Sequence, residues 1–158
     1  MALTTVDHSA LKVNQTGIIA TVLVAFFGSW ALAGNRLLLL LIPLLAVVLL
    51  LGTFAPRLAL FKQLYFKVLK PAGIVKPRPV QDRPEPHNFA QGLGGVFLAI
   101  SSVLVFLPVD PRTALITLSL GLAIALLVAV LAFVNLAFGY CLGCQIYFQL
   151  GKRGLIKA

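Results

Sequence analysis

The chain has 158 residues, of which 60% are hydrophobic and only 11% charged, and its net charge is +9. Soluble domains carry about 25% charged residues, so this composition excludes an ordinary water-soluble globule and points to long apolar segments in a bilayer. The positive charge would suggest nucleic acid in a soluble protein; here the basic residues fall where a membrane protein needs them for orientation, and no nucleic-acid partner is expected.

Residues 1–9 contain Asp7 and no Lys or Arg. A basic region ahead of the first apolar run is therefore missing, and that run is expected to be retained as a span rather than removed as a signal. Asp7 is placed to cap the first helix, and the first span is expected over residues 12–33, ended by Gly34 and Asn35. A second span over 37–54 carries Pro43, which predicts a kink or loosening.

Over 57–70, Leu60, Phe61, Leu64, Tyr65 and Val68 share one helical face and Lys62, Gln63, Lys67 and Lys70 the other. This pattern predicts an amphipathic helix lying on the lipid headgroups. Residues 71–87 hold Pro71, Pro77, Pro79, Pro84 and Pro86, the pattern of an extended connector. Asn88 and Gln91 have the spacing of a helix cap and its third residue, which starts a third span over 89–107. Pro108 ends it; Asp110 and Pro111 open a fourth over 112–138. Gly121, Ala125 and Ala129, and Gly95 with Ala99, would let helices approach closely. A Cys-x-x-Cys segment, 139–150, closes the chain. The expected fold is a single all-α domain, an integral membrane four-helix bundle.

Four spans put both termini and the central segment on one side. Of the 13 basic residues, all but Arg36 and Arg112 fall there, leaving 11. The positive-inside rule makes that side cytoplasmic and the protein a multi-pass one of the inner (plasma) membrane. Cys141 and Cys144, the only cysteines, then face a reducing compartment, where a permanent disulfide is disfavoured.

Three readings of the pair stay open. Thiol–disulfide or persulfide chemistry, with Cys141 and Cys144 as catalytic residues, suits the spacing, which puts both sulfurs within bridging reach. A metal site would need His8 and His87 as well, the only histidines. Alternatively, two small apolar side chains merely pack beside Gly143. Against the first stands polarity: reactive cysteines sit at helix N-termini, whereas this pair follows the C-terminal end of a span. That objection is removed only if Gly139 breaks the helix and a new one starts near Leu142.

Polar groups close to the membrane surface gather in three stretches, which supply Asp7, Asn14 and Gln15, then Asn88 and Gln91, then Asn135. Polar side chains are costly in lipid, so these are expected to turn inward and form one cytoplasmic pocket, with the sulfurs in its wall and Phe89 and Tyr140 at its rim. No cofactor motif is present, and none is expected.

Val6-Asp7 with Lys12 and Asn14, then Pro86, Phe89, Ala90 and Gln91, then Asn135, Gly139, Cys141, Leu142, Gly143, Cys144 and Tyr147 resemble a bacterial family of small four-span membrane proteins of unknown function. The resemblance covers most of the chain. It implies four spans, a cysteine pair, and association with thioredoxin-like or sulfurtransferase proteins. A non-catalytic subunit or docking platform of a larger membrane complex is the competing reading.

Overall fold

The computed structural model describes residues 4–31, 37–107 and 110–155; the side chains of Thr4 and Pro111 are not described. The expected stops at Gly34, Asn35 and Pro108, and the basic residues Arg36 and Lys157, lie outside the described residues. The chain is nearly all helix. A short strand β1 (Thr4–Asp7) leads into α1 (His8–Ala31), then α2 (Leu41–Phe54), α3 (Leu60–Leu64), a second strand β2 (Pro79–Asp82), α4 (Pro84–Phe106), α5 (Pro111–Phe138) and α6 (Leu142–Lys152).

Three helices are long and apolar enough to cross a membrane: α1, α4 and α5 from Arg112 onward. The fourth expected span is shorter. A single 3-10 turn, Leu38–Leu40, precedes α2, and the two together rise about 25 Å against the roughly 30 Å of a hydrocarbon core. Pro43 is the third residue of α2. The 3-10 turn runs into α2 without a break, so Pro43, which has no N–H to donate back into that turn, sits where the 3-10 geometry gives way to α.

Helix α4 is central and packs on α2, α5 and α6, while α1 closes against α5. Val22, Ala25, Ile42, Leu49, Leu98 and Ala125 are at most 1% exposed and form the centre of the core. Ser101 is wholly buried on α4 and donates its hydroxyl to the carbonyl of Gly121 at 2.6 Å, joining α4 to α5. Leu44, Val47, Val96, Ile100, Leu115 and Val130 face outward. Such an apolar exterior is compatible with a membrane protein.

The central region departs from expectation in three ways. Helix α4 begins at Pro84, with Arg83 as cap, not at residue 89. Pro84 and Pro86 therefore sit in its first turn, where their missing N–H groups have no helical partner to lose. Asn88 is no cap; its Oδ1 accepts from the Lys62 ammonium at 3.2 Å. Second, residues 79–82 form a strand. β2 pairs antiparallel with β1, Thr4 opposite Asp82 and Asp7 opposite Pro79, with proline at the first strand position.

Third, the segment expected as one amphipathic helix over 57–70 is broken into a 3-10 turn (Pro56–Leu58), α3, and a π-helical turn (Tyr65–Leu69). Tyr65 was expected on a lipid-facing side; it is fully buried instead, donating its hydroxyl to Asp7 Oδ2 at 2.8 Å. A buried phenol needs such a partner.

Asp7 also caps α1 by accepting the Ser9 N–H at 3.0 Å, and Asp7 Oδ1 accepts the Arg78 N–H at 3.0 Å. Burial alone would raise its pKa. The bonds from Tyr65, Arg78 and Ser9, with the charge of Lys70, outweigh burial and hold it below the ordinary aspartate value.

Replacing Asp7 with Ala removes the cap, worth about 1 kcal/mol, and also strands Tyr65, so the loss of stability in thermal unfolding in detergent should exceed the cap alone. Because the folded pKa lies below the unfolded one, the carboxylate stabilises fully above about pH 4 and progressively less as pH falls through the folded value. Asp7→Asn should flatten that part of the acid limb of the stability profile.

Candidate functional site

At the end of α5 the chain reverses its helix polarity within three residues. Gly139 adopts φ +69°, a left-handed conformation that glycine takes without a Cβ clash, and its N–H closes on the Asn135 carbonyl at 2.9 Å. Cys141 is extended and caps α6: its carbonyl accepts the Gln145 N–H and its sulfur accepts the Cys144 N–H, at 3.1 and 3.2 Å. The two sulfurs are at disulfide distance, with Cα atoms 5.2 Å apart. Cys141 thus lies at the positive end of an eleven-residue helix, the pole that favours a thiolate. The polarity objection raised by the sequence is removed.

Close packing of α6 on α4 places the pair. A Cβ at Gly143 would lie 2.7 Å from the Cα of Ala90, so only glycine permits this approach. Farther along, the Tyr147 ring meets Phe89 with centroids 5.5 Å apart. Cys144, one turn after Cys141, is 8% exposed and Cys141 is half-buried.

The first turn of α4 brings His87 to the sulfurs, Nδ1 lying 3.7 Å from Cys144 Sγ. On its other side, His87 Nε2 is 3.0 Å from Asp82 Oδ2, and His8 Nε2 reaches the same oxygen at 3.2 Å. Asp82 Oδ1 accepts the Arg83 N–H at 2.7 Å. A carboxylate accepts only, so Nε2 of His87 carries a proton, and in the neutral imidazole Nδ1 is the acceptor facing Cys144. Burial alone would raise the Asp82 pKa; the bond from His87, the Arg83 N–H and the bond from His8 outweigh it and hold it below the ordinary value.

Asp82 is the residue that sequence reasoning missed. It lies in the 71–87 segment, whose prolines predict only an extended connector. Only the β1–β2 pairing, which carries Asp82 to the start of α1, exposes its role.

The expected pocket residues divide. Asn14, Gln15, Gln91, Asn135 and Cys141 line one cavity of about 80 Å³ between α1, α4, α5 and the start of α6. Gln91 donates from its edge to the Leu49 carbonyl at 3.1 Å. The other four lie elsewhere. Asp7 belongs to the β1–α1 junction, Asn88 to the Lys62 contact, Phe89 to the Tyr147 stack, and Tyr140 is half-exposed beside the cysteines. Cys144 faces His87 rather than this cavity. Small-ligand pockets run to roughly 300–1,000 Å³, so this space suits a few waters, not a bound metabolite.

The proposed four-residue metal set also divides. Donor atoms of His87, Cys141 and Cys144 lie within 4.8 Å of one another, whereas His8 groups with Asp82 and His87.

Gly143→Ala should push α6 off α4 at a cost of about 1–3 kcal/mol. In the reduced protein the expected sign is faster alkylation of Cys144, read by mass spectrometry; a rate equal to wild type would show that Gly143 does not hold the pair in place.

No curated protein and no solved structure matches the chain. A protein-family model matches residues 6–152, from the strand that pairs with β2 to the last residue of α6, and so includes the whole site. The chain belongs to the family described as Domain of unknown function (DUF4395).

Proposed function

We propose that this chain is a bacterial inner-membrane protein whose cytoplasmic face handles thiol–disulfide or persulfide sulfur through Cys141 and Cys144. One observation carries the reading: Cys141 caps the N-terminus of α6, while Cys144, buried one turn later, faces the imidazole of His87.

The membrane arrangement follows from charge and length. The starts of α1 and α4, the end of α2 and all of α6 meet at the end that holds the cysteines. The basic side chains of Lys12, Arg57, Lys62, Arg78, Arg83 and Lys152 belong to segments at this end, and Arg112 opens α5 at the other. This asymmetry supports a cytoplasmic site, four spans with α2 as the shortest, and both termini inside.

The chemistry balances as ordinary exchange. The Cys141 thiolate attacks one sulfur of a substrate disulfide R–S–S–R′; the S–S bond breaks and R′–S⁻ leaves and takes up a proton. Cys144 passes its proton toward His87 Nδ1, and its thiolate attacks Cys141 Sγ, releasing R–S⁻. The substrate is reduced by two electrons and the pair is oxidised to the disulfide. A thioredoxin-like partner would return the electrons. With a persulfide R–S–SH, the same Cys141 thiolate would accept the outer sulfur and release R–S⁻.

Reduced protein in nanodiscs, challenged with glutathione disulfide and followed by intact mass, tests this. Wild type should close to its own disulfide without a lasting adduct. Cys144→Ser should accumulate one glutathione on Cys141, and Cys141→Ser should react at least about tenfold more slowly. Equal adduct formation in both variants would remove the assignment. Full cellular function of both serine variants, with a partner co-purifying at fixed ratio, would favour the docking-platform reading. For topology, an Asp110→Cys probe in a chain lacking both native cysteines should react with an impermeant maleimide only from outside.

A further inference from the structure

We propose that, once reduced, Cys141, Cys144 and His87 form a binding site for one zinc ion, with a fourth coordination position left open. This goes beyond the exchange chemistry and does not require it.

The geometry argues for it in three steps. Zinc bonds sulfur at about 2.3 Å and imidazole nitrogen at about 2.0–2.1 Å, so tetrahedral donors stand roughly 3.5–3.8 Å apart. Cys144 Sγ and His87 Nδ1 are already 3.7 Å apart, and all three donors lie within 4.8 Å of one another. In the disulfide the two sulfurs are closer than this spacing. Breaking their bond frees the half-buried Cys141 side chain to rotate away from Cys144, while the Cα separation of 5.2 Å needs no change.

The second step is the orientation of His87. A metal-binding imidazole commonly gives its other N–H to a carboxylate, which fixes the tautomer and raises the basicity of the ligating nitrogen. Asp82 stands in that position, 3.0 Å from Nε2, and is itself held by the Arg83 N–H and by His8. Nδ1 is therefore presented to the sulfurs with its lone pair free.

The third is charge. Two thiolates and a neutral imidazole balance a divalent cation, and thiolate with imidazole is a donor set that selects zinc over magnesium or calcium. Three protein donors with one open position is the coordination of reactive rather than purely structural zinc sites.

The disulfide and the metal exclude each other. Two equivalents of a thiol R–SH reduce Cys141–Cys144, forming R–S–S–R and two cysteine thiols. Zinc binding then displaces those two thiol protons. Oxidation of the pair expels the ion.

The test uses the full-length protein in detergent, reduced with a phosphine under anaerobic conditions and titrated with cobalt(II), then with zinc. About one cobalt per chain should bind, with thiolate-to-cobalt charge transfer in the near ultraviolet and intense visible bands of tetrahedral geometry; zinc should displace it. His87→Gln and Cys144→Ser should lose these bands, and Asp82→Asn should weaken binding by about 10–100-fold. Lys12→Gln, an exposed change on α1 outside the site, should keep them. The oxidised wild-type chain, identical in sequence, should bind nothing, a comparison that involves no substitution. Absence of the charge-transfer band in reduced wild type, or its survival in His87→Gln, would overturn the proposal. Exchange measured with a chelator present separates this outcome from the fate of the exchange reading.

Discussion

Two carboxylates hold one end of this bundle together. Asp7 and Asp82 stand on the two strands of the only sheet among the described residues, and each does several jobs at once. Asp7 caps α1, anchors the connector at Arg78 and satisfies the buried hydroxyl of Tyr65. Asp82 ends β2 and joins the two histidines. In a chain so poor in charge, these two carboxylates tie segments far apart in sequence, beside the single bonds from Ser101 to the Gly121 carbonyl and from Gln91 to the Leu49 carbonyl deeper in the bundle. The rest of the interior packs through apolar and small side chains, which bring helices close but define position less sharply. The register of the strands therefore decides which histidine reaches the sulfurs.

A second constraint is helix polarity. A cysteine pair trailing a long apolar helix sits at the negative pole, where a thiolate is disfavoured. The single left-handed residue Gly139 ends that helix, and α6 then presents its positive pole to Cys141. Gly143 lets α6 lie against α4 closely enough for His87 to reach Cys144. The two glycines have different physical duties, one in backbone conformation and one in steric clearance. Together they convert a helix tail into a site.

The cavity beside this site and the imidazole on its far side divide the two sulfurs by environment. Cys141 borders a small cavity whose mostly apolar wall also carries Asn14, Gln15, Gln91 and Asn135, with room for water-sized guests. Cys144 is buried against His87. One sulfur borders a cavity and the other is buried against an imidazole, an asymmetry that suits both the proposed exchange and the proposed metal site.

Composition and periodicity alone determined that the chain is all-α with long apolar helices, because a run of twenty apolar residues has few other ways to satisfy its backbone. They located the helix opening at Asp110 and Pro111, the cap at Asp7 and the small-residue contacts, since these depend on neighbours within a turn or two. The cysteine spacing and the inward turn of Asn14, Gln91 and Asn135 were legible for the same reason. The burial of Tyr65 and the division of the histidines were not. Each depends on partners about 60 or more residues away, through Asp7 on Tyr65 or Asp82 on His8, with separations of 58 and 74 residues. No local pattern encodes such a meeting; it exists only once β1 and β2 have paired and brought the starts of α1 and α4 together.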